Sequence, residues 1–190
     1  MQWFPKAESE ITTTCVIYLP FNEFGFGIRQ TDEEFEQRLK LNKLYNYASN
    51  KWGYHARAGA ASTLCQGIIE FLGKRAQVEA SIQALFVKRD PPDLGYSQRF
   101  PRQMTELHLL GYFGVHTVVE LLLLEKGADA KATNSYGETA LSRASKDGHL
   151  KVVELLLAKD SSMAATNRHG WIQLHEAAKN GHLDVVQLPL

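Results

Sequence analysis

The chain has 190 residues, 44% of them hydrophobic and 22% charged, a composition typical of a globular protein that buries a core. Its 21 basic and 21 acidic side chains cancel, whereas proteins that neutralise nucleic-acid phosphates usually carry a basic excess. The longest apolar runs are too short to cross a membrane, and the amino terminus lacks the basic-then-apolar order of a signal peptide. We therefore expect no nucleic-acid partner, no membrane contact and a cytoplasmic location.

Residues 1–87 are predicted to form three to five short helices. Thr31 is predicted to open one of them, because Glu34 stands three residues later in a capping-box arrangement. Apolar side chains then recur at the spacing of one helical face, and a similar stripe follows from Ile68 to Phe86. The first of these stripes contains Leu41, Leu44, Tyr45, Ala48 and Trp52. This half of the chain is expected to be a helical connector.

Metal ligands and reactive thiols are not expected in this chain. Cys15 and Cys65 lie far apart and fit no motif, so two free, reduced thiols are predicted. The seven histidines show no finger-like pairing with one another or with a cysteine. The stretch Gly67–Arg75 differs from a phosphate-binding loop, because Arg75 stands where Ser or Thr would bind magnesium. No catalytic, cofactor or metal site is predicted.

Residues 88–103 are predicted to be a linker. The stretch contains Pro91, Pro92 and Pro101 among charged residues, and it shows little hydrophobic periodicity. It separates the predicted connector from a second region of different character.

Residues 104–190 contain an internal repeat. Gly114, Gly148 and Gly181 recur 34 and 33 residues apart, and a Val-Val pair follows each glycine in the same register. The segments TELH, TALS and IQLH precede the three glycines, also in register. Three copies in one register indicate a repeat architecture.

The middle repeat shows how one unit is expected to fold. Thr139 can cap a first helix, Gly148 can end it in a left-handed turn, and a second helix starts near Leu150. The second helix is apolar on more than one side, so neighbouring repeats are needed to bury it. His149 and His182 are predicted to lie in the turn between the helices and to hydrogen-bond to nearby backbone.

The period of 33, the T-P-L-H-like start, the Gly-His turn and the V-V-x-L-L-L ending together resemble the ankyrin repeat. The resemblance implies an all-α fold in which a helical N-terminal connector precedes a short ankyrin-repeat solenoid of about two and a half repeats. The sequence departs from the pattern where Ser142 replaces a histidine and where Pro189 interrupts the last helix. We expect an uncapped end and self-association through the last repeat.

The connector shows a second resemblance, carried by AESEITTTCVIYL, LYNYASNKWGYHARAG, VEASIQALF and GYSQRFPRQMTELHLLGYFGV. These segments are similar to the region that joins the NTPase part to the ankyrin array in fungal NACHT-ankyrin (NLR-like) proteins. The resemblance implies a role in intracellular signalling. Because the sequence lacks the phosphate-binding loop of full members, no nucleotide chemistry is carried over.

The ankyrin resemblance implies a non-catalytic protein–protein interaction module, from a fragment or shortened relative of a NACHT-ankyrin signalling protein. A regulatory subunit that acts in trans on an NTPase or effector is the alternative. Partners of ankyrin repeats usually meet the loop tips and the exposed ends of the first helices. The matching loop positions are Ser135, Tyr136, Glu138, Arg168, His169 and Trp171. The matching helix positions are Tyr112, Phe113, Lys146, Asp147, Lys179 and Asn180.

Overall fold

The chain folds into helices that divide between two compact units, Met1–Pro101 and Arg102–Leu190. The computed structural model describes residues 6–59, 62–88, 94–159 and 173–188. Across these ranges every regular element is a helix, and the only β feature is an isolated bridge between Thr133 and Thr139. The all-α prediction is confirmed. Within the same ranges, no helix combines the length and the apolar character needed to cross a membrane.

Among its described residues, the first unit contains five α-helices and two short 3-10 turns. The α-helices are α1 (Ala7–Tyr18), α2 (Asp32–Leu41), α3 (Lys43–Ala58), α4 (Ser62–Leu72) and α5 (Arg75–Phe86). The 3-10 turns are Asn22–Phe24 and Tyr96–Gln98. Aromatic rings fill the core: Trp52 meets Phe71 edge-on at 5.7 Å between centroids, and Phe24 lies 4.3 Å from Tyr45. All four rings are buried, so α3 is the central helix of this unit.

The start of α2 follows the capping rule, with one difference. The Thr31 hydroxyl accepts a hydrogen bond from the Glu34 amide at 3.2 Å. The Glu34 carboxylate reaches back to the amide of Gln30, at 3.1 Å, rather than to that of Thr31. Two amides near the helix start are therefore satisfied, as the capping spacing predicts.

The apolar stripe predicted from Leu41 to Trp52 is interrupted at Asn42. The backbone leaves the helical region there, with φ −118° and ψ 74°, so α2 ends and α3 begins with a new axis. Tyr45 and Trp52 are fully buried, whereas Leu41 is 72% exposed and Leu44 is 40% exposed. The break turns the first two leucines outward, and only the later part of the stripe forms core.

Part of the predicted linker packs onto the first unit. The Asp32 carboxylate accepts hydrogen bonds from the amides of Gly95, at 2.6 Å, and Ser97, at 2.9 Å. These bonds from Ser97 and its neighbours lower the pKa of Asp32. Ser97 and Phe100 are buried. The segment 94–101 therefore belongs structurally to the first unit.

One buried amide, that of Gln83 on α5, holds two chain segments. Its Oε1 accepts from the amide of Arg29 at 2.8 Å, and its Nε2 donates to the carbonyls of Arg29 at 2.8 Å and Ser97 at 2.9 Å. Gln83 is fully buried, so its amide depends on these backbone groups for its hydrogen bonds.

In the described part of the second unit, the helices form three successive pairs. They are α6 (Glu106–Phe113) with α7 (His116–Glu125), α8 (Ala140–Lys146) with α9 (Leu150–Ala158), and α10 (Gln173–Lys179) with α11 (Leu183–Val186). Gly114, Gly148 and Gly181 join the members of each pair with φ of 75°, 72° and 77°. The left-handed turn predicted for these glycines is confirmed. The second helix of the last pair, α11, has only 4 residues. Pro189, which was predicted to interrupt this helix, lies outside the described residues.

Replacing Gln83 with Leu tests the role of its amide. The variant removes the partner of the Arg29 amide and of the Ser97 carbonyl, while the Arg29 carbonyl keeps its bond from the Gln98 side chain at 2.7 Å. The first unit is therefore expected to lose on the order of 2 kcal/mol of unfolding free energy. Urea denaturation measures the loss, and amide exchange at Arg29 and Ser97 locates it. Gln66→Leu is the matched control, since Gln66 is exposed on α4 and its replacement should cost less than about 0.5 kcal/mol. Equal losses in the two variants would contradict this role.

Candidate partner-binding surface

A histidine in the turns of the second and third repeats ties each of them to the preceding repeat. The Nε2 of His149 lies 3.0 Å from the carbonyl oxygen of Tyr112, and the Nε2 of His182 lies 3.0 Å from that of Lys146. A carbonyl oxygen only accepts, so Nε2 carries the proton and donates in both pairs. Tyr112 and Lys146 occupy equivalent positions in successive repeats. The predicted backbone hydrogen bond is confirmed, and it joins neighbouring repeats.

The same rings explain why the turns need glycine. A Cβ on Gly114 would lie 2.7 Å from the His149 ring, and a Cβ on Gly148 would overlap the His182 ring. Real Cβ atoms do not come this close to other heavy atoms. Glycine therefore serves two purposes here, the left-handed turn and the close approach of the next repeat.

A second hydrogen-bonded contact between repeats involves His108, near the start of α6. The Nδ1 of His108 accepts from the amide of Thr105 at 3.1 Å, so its Nε2 carries the proton and donates to the carbonyl of Glu138 at 2.8 Å. Burial, the main cause, lowers the pKa of His108, and the neutral ring is the form that fits both bonds. One imidazole thus caps its own helix and holds the loop of the next repeat.

The second repeat caps its first helix with a serine in place of the histidine. Ser142 replaces the histidine, and its hydroxyl lies 2.9 Å from both the amide and the carbonyl of Thr139. The Thr139 hydroxyl accepts from the Ser142 amide at 3.1 Å, which completes a capping box. The predicted cap at Thr139 is confirmed. A serine side chain ends at the γ position, so it serves only its own helix.

Asn134 builds the loop that precedes α8. Its side-chain oxygen accepts from the amides of Tyr136 at 2.8 Å and Glu138 at 3.1 Å, and its Nδ2 donates to the Glu138 carboxylate at 2.9 Å. Gly137 follows with φ of 73°. Ser135, at the exposed tip, donates its amide to the carbonyl of Arg102 at 2.9 Å. The backbone of this loop is held in place, and Tyr136 stands on it half-exposed.

Arg143 connects the loop to the first helix of the preceding repeat. Its guanidinium lies 2.7 Å from the Glu138 carboxylate and 5.8 Å from the centre of the Tyr112 ring. The Arg143 side chain is 9% exposed and that of Glu138 is 13% exposed. A charge pair so shielded from water, with a hydrogen bond, depends on both partners. The structure therefore brings loop residue Glu138 and helix residue Tyr112 into one cluster.

Phe113, one of the predicted partner-contact residues, does not lie on the surface. Its side chain is fully buried, and its ring meets that of Tyr112 edge-on at 4.9 Å. The corresponding positions of the other two repeats hold Asp147 and Asn180, which are half-exposed and exposed. The prediction of a partner contact at Phe113 is wrong, because the ring is part of the core of this unit.

The remaining helix candidates lie at the ends of the first helices. Tyr112 and Lys146 are half-exposed, and Lys179 and Asn180 are exposed. Burial, the main cause, raises the pKa of Asp147, although the charges of Arg143, Lys146 and His182 oppose it. Of the loop candidates, Arg168, His169 and Trp171 fall outside the described residues. The described candidates that remain available to a partner are Tyr112, Ser135, Tyr136, Lys146, Asp147, Lys179 and Asn180.

Reactive groups are scarce in the part of the chain that the structure describes. There, no group of three His, Cys, Asp or Glu residues is placed to hold a metal ion. Cys15 and Cys65 are buried, and they are not joined in a disulfide. Burial raises the pKa of the Cys15 thiol to about 11, so it stays protonated and unreactive at neutral pH.

One residue of this surface, Arg143, could not be found from the sequence. Asn134 is a turn former with a detectable signal, since an Asn opens the corresponding stretch at Asn167. Arg143 has no such signal, because its equivalents in the other repeats are Leu109 and Glu176. Arg143 acts by pairing with the Glu138 carboxylate, and the other two repeats have no acidic residue at the position of Glu138.

Gly148→Ala is expected to destabilise the second unit by clearly more than the left-handed backbone alone requires. The added methyl group meets the His182 ring as well as straining the turn. Gly127→Ala is the matched control, because Gly127 is also left-handed, with φ of 59°, and nothing among the described residues lies within 4 Å of an added Cβ. The control should lose about 1–2 kcal/mol and Gly148→Ala at least about 2 kcal/mol more. Chemical denaturation measures both; equal losses would show that His182 does not require the glycine.

Lowering the pH below 6.5 is expected to reduce the unfolding free energy of the second unit because of His108. Its pKa in the folded chain lies below the usual 6.5, so its contribution is complete above pH 6.5. As the pH falls below that value, the unfolded chain takes up a proton that the folded ring resists, and stability declines. His108→Ser, which copies the cap of the second repeat, should be less stable at pH 7.5 but lose less between pH 7.5 and 5.5. Parallel pH profiles for both proteins would refute the assignment.

Comparison with known families agrees with this geometry. Residues 107–188 match the family model for ankyrin repeats, in three copies. A comparison with curated proteins found no match to the chain. The matched region runs from the first turn of α6 to the end of α11 and includes the three glycine turns. The second unit of this chain is therefore an array of ankyrin repeats, a class of protein-binding modules.

Proposed function

We propose that the chain is a non-catalytic interaction module that binds a protein through the second unit, at a surface formed by Tyr112, Tyr136 and Lys146. Repeat arrays bind their partners along an extended concave surface to which successive repeats contribute. The supporting observation is the Arg143 cluster, which joins the loop and the first helix and fixes Tyr112. A pre-organised surface loses less conformational entropy when a partner binds.

The chemistry of this surface favours recognition over catalysis. Two half-exposed tyrosines supply large contact areas with few rotatable bonds, and such residues often dominate interface energies. Lys146 and Lys179 add positive charge at equivalent positions of two repeats. A partner with an acidic face is therefore favoured, since its carboxylates would face these lysines. No described group in this cluster combines a nucleophile with a base to activate it.

The alternative is that the chain regulates an NTPase or effector in trans. Its basis is the resemblance of the connector segments to fungal NACHT-ankyrin proteins, where a similar stretch follows the NTPase part. On this proposal the chain is a fragment or shortened relative of such a protein and acts in the cytoplasm. Capture of the partner with and without nucleotide separates the two roles. A partner held only in one nucleotide state favours regulation, and one held equally in both favours a plain interaction module.

Replacing Tyr112 and Tyr136 together with Ala tests the proposed surface. Once a partner is identified by affinity capture and mass spectrometry, its dissociation constant for the double variant should rise about tenfold or more. Circular dichroism should show unchanged helicity. Lys151→Ala is the control, since Lys151 is exposed on α9 of the same array, and it should leave the constant unchanged. An unaltered constant for the tyrosine variant would place the binding site elsewhere on the chain.

A further inference from the structure

Three polar side chains of the first unit are linked by hydrogen bonds at its surface. Glu8 lies in the first turn of α1, and Tyr47 and His55 lie about two turns apart on α3. The Nδ1 of His55 lies 2.5 Å from the Glu8 carboxylate, and its Nε2 lies 2.8 Å from the hydroxyl of Tyr47. A carboxylate, an imidazole and a phenol are thus joined in one line.

The direction of these two hydrogen bonds follows from the carboxylate. A carboxylate only accepts, so Nδ1 of the neutral His55 ring carries the proton and donates a hydrogen bond to Glu8. The lone pair of Nε2 is then available, and the Tyr47 hydroxyl donates to it. The imidazole is therefore oriented as a base toward the phenolic proton.

Close packing of α1 against α3 holds the carboxylate in position. Ser9, the neighbour of Glu8, donates its hydroxyl to the carbonyl of Gly59 at 2.8 Å. A Cβ on Gly59 would lie 2.9 Å from the Ser9 amide nitrogen and 3.1 Å from the Glu8 carbonyl carbon. A side chain at residue 59 would push the helices apart, so this glycine sets where the start of α1 lies on α3.

The phenol is the member of this cluster that an outside molecule can reach most easily. Tyr47 is 42% exposed, whereas the side chain of His55 is 19% exposed. The imidazole therefore lies behind the phenol, partly shielded from water. A hydroxyl next to a base that a third group orients is the arrangement by which proteins activate oxygen nucleophiles.

We propose that Tyr47 is an acceptor site for an acyl group from an activated acyl donor, such as an aryl ester or an acyl imidazole, with His55 as the base. The phenolic oxygen attacks the carbonyl carbon of the donor while its proton moves to Nε2 of His55. The bond between the acyl carbon and the leaving group breaks, and the leaving group takes the proton from Nε2. The products are O-acyl-Tyr47, the protonated leaving group and neutral His55, so each chain consumes one donor molecule.

Glu8 is the positioning residue for this step. It keeps the ring proton on Nδ1, and its negative charge stabilises the imidazolium that forms when Nε2 takes up the phenolic proton. His55 also lies in the last turn of α3, where the helix dipole favours a positive charge. The competing interpretation is that these hydrogen bonds only fasten α1 to α3, and the test must separate the two.

The test treats the full chain with N-acetylimidazole at pH 8 and locates the acetyl groups by peptide mass spectrometry at short reaction times. Tyr54 is the internal reference, since it lies on the same helix and is 37% exposed, close to the value for Tyr47. Tyr47 should be acetylated about tenfold faster than Tyr54 or more, through general-base assistance. Hydroxylamine should remove the acetyl group, as expected for an ester on oxygen.

Three variants assign the roles within the cluster. His55→Gln should slow acetylation of Tyr47 about tenfold, because the glutamine amide cannot take up the proton. Glu8→Gln should cause a smaller decrease, since its amide oxygen can still accept from Nδ1 but carries no charge. His116→Gln is the matched control, because His116 is a half-exposed histidine of the second unit, and it should leave the rate unchanged.

Circular dichroism checks that each variant folds. Equal acetylation rates for Tyr47 and Tyr54 in the unmodified chain would overturn the proposal, and so would an unchanged Tyr47 rate in folded His55→Gln. If His55→Gln does not fold, an unchanged rate in Glu8→Gln would overturn it instead. Each of these results would leave the cluster as a fastening between two helices.

Discussion

The contact on which the second unit depends is the histidine ring that lies on the glycine of the preceding repeat. It combines a hydrogen bond to a backbone carbonyl with a close approach that only glycine permits. The ring also fixes the distance between repeats, because any added atom at the glycine would push them apart. The glycine of each turn thus receives the histidine of the next repeat, while the histidine of the same turn lies on the glycine of the preceding repeat. A repeat with neighbours on both sides needs both residues at its turn, which explains why Gly-His recurs as a pair.

The proposed partner-binding surface is held in one conformation by the polar groups that connect the repeats. Glu138 provides its carbonyl to His108 and its carboxylate to Asn134 and Arg143. The same Arg143 then lies against Tyr112. Loss of one member would remove a bond from its neighbours in this network, so these groups act as a unit. A predicted contact residue such as Glu138 therefore serves mainly to position its neighbours.

The sequence predicted the features that depend on periodicity and local chemistry. The glycine turns, the Thr139 cap and the all-α class follow from short-range rules that hold wherever the pattern occurs. Features that depend on long-range packing were not predictable. Phe113 occupies a helix-end position that is polar in the other repeats, so only the fold shows that it is buried. Likewise, Gln83 satisfies Arg29 and Ser97 across distances in sequence that no local pattern encodes.

The two histidine positions of a repeat differ in how closely they follow the repeat pattern. Between the first and second repeats two imidazoles form bonds, His108 to the following loop and His149 to the preceding helix. Between the second and third, His182 forms the corresponding bond to Lys146, while Ser142 uses its hydroxyl within its own cap. A hydroxyl cannot span the distance that an imidazole bridges with its two nitrogens. Among the described residues, the turn histidine is therefore the contact that both junctions share, and the histidine at the helix start is the one that the second repeat has replaced.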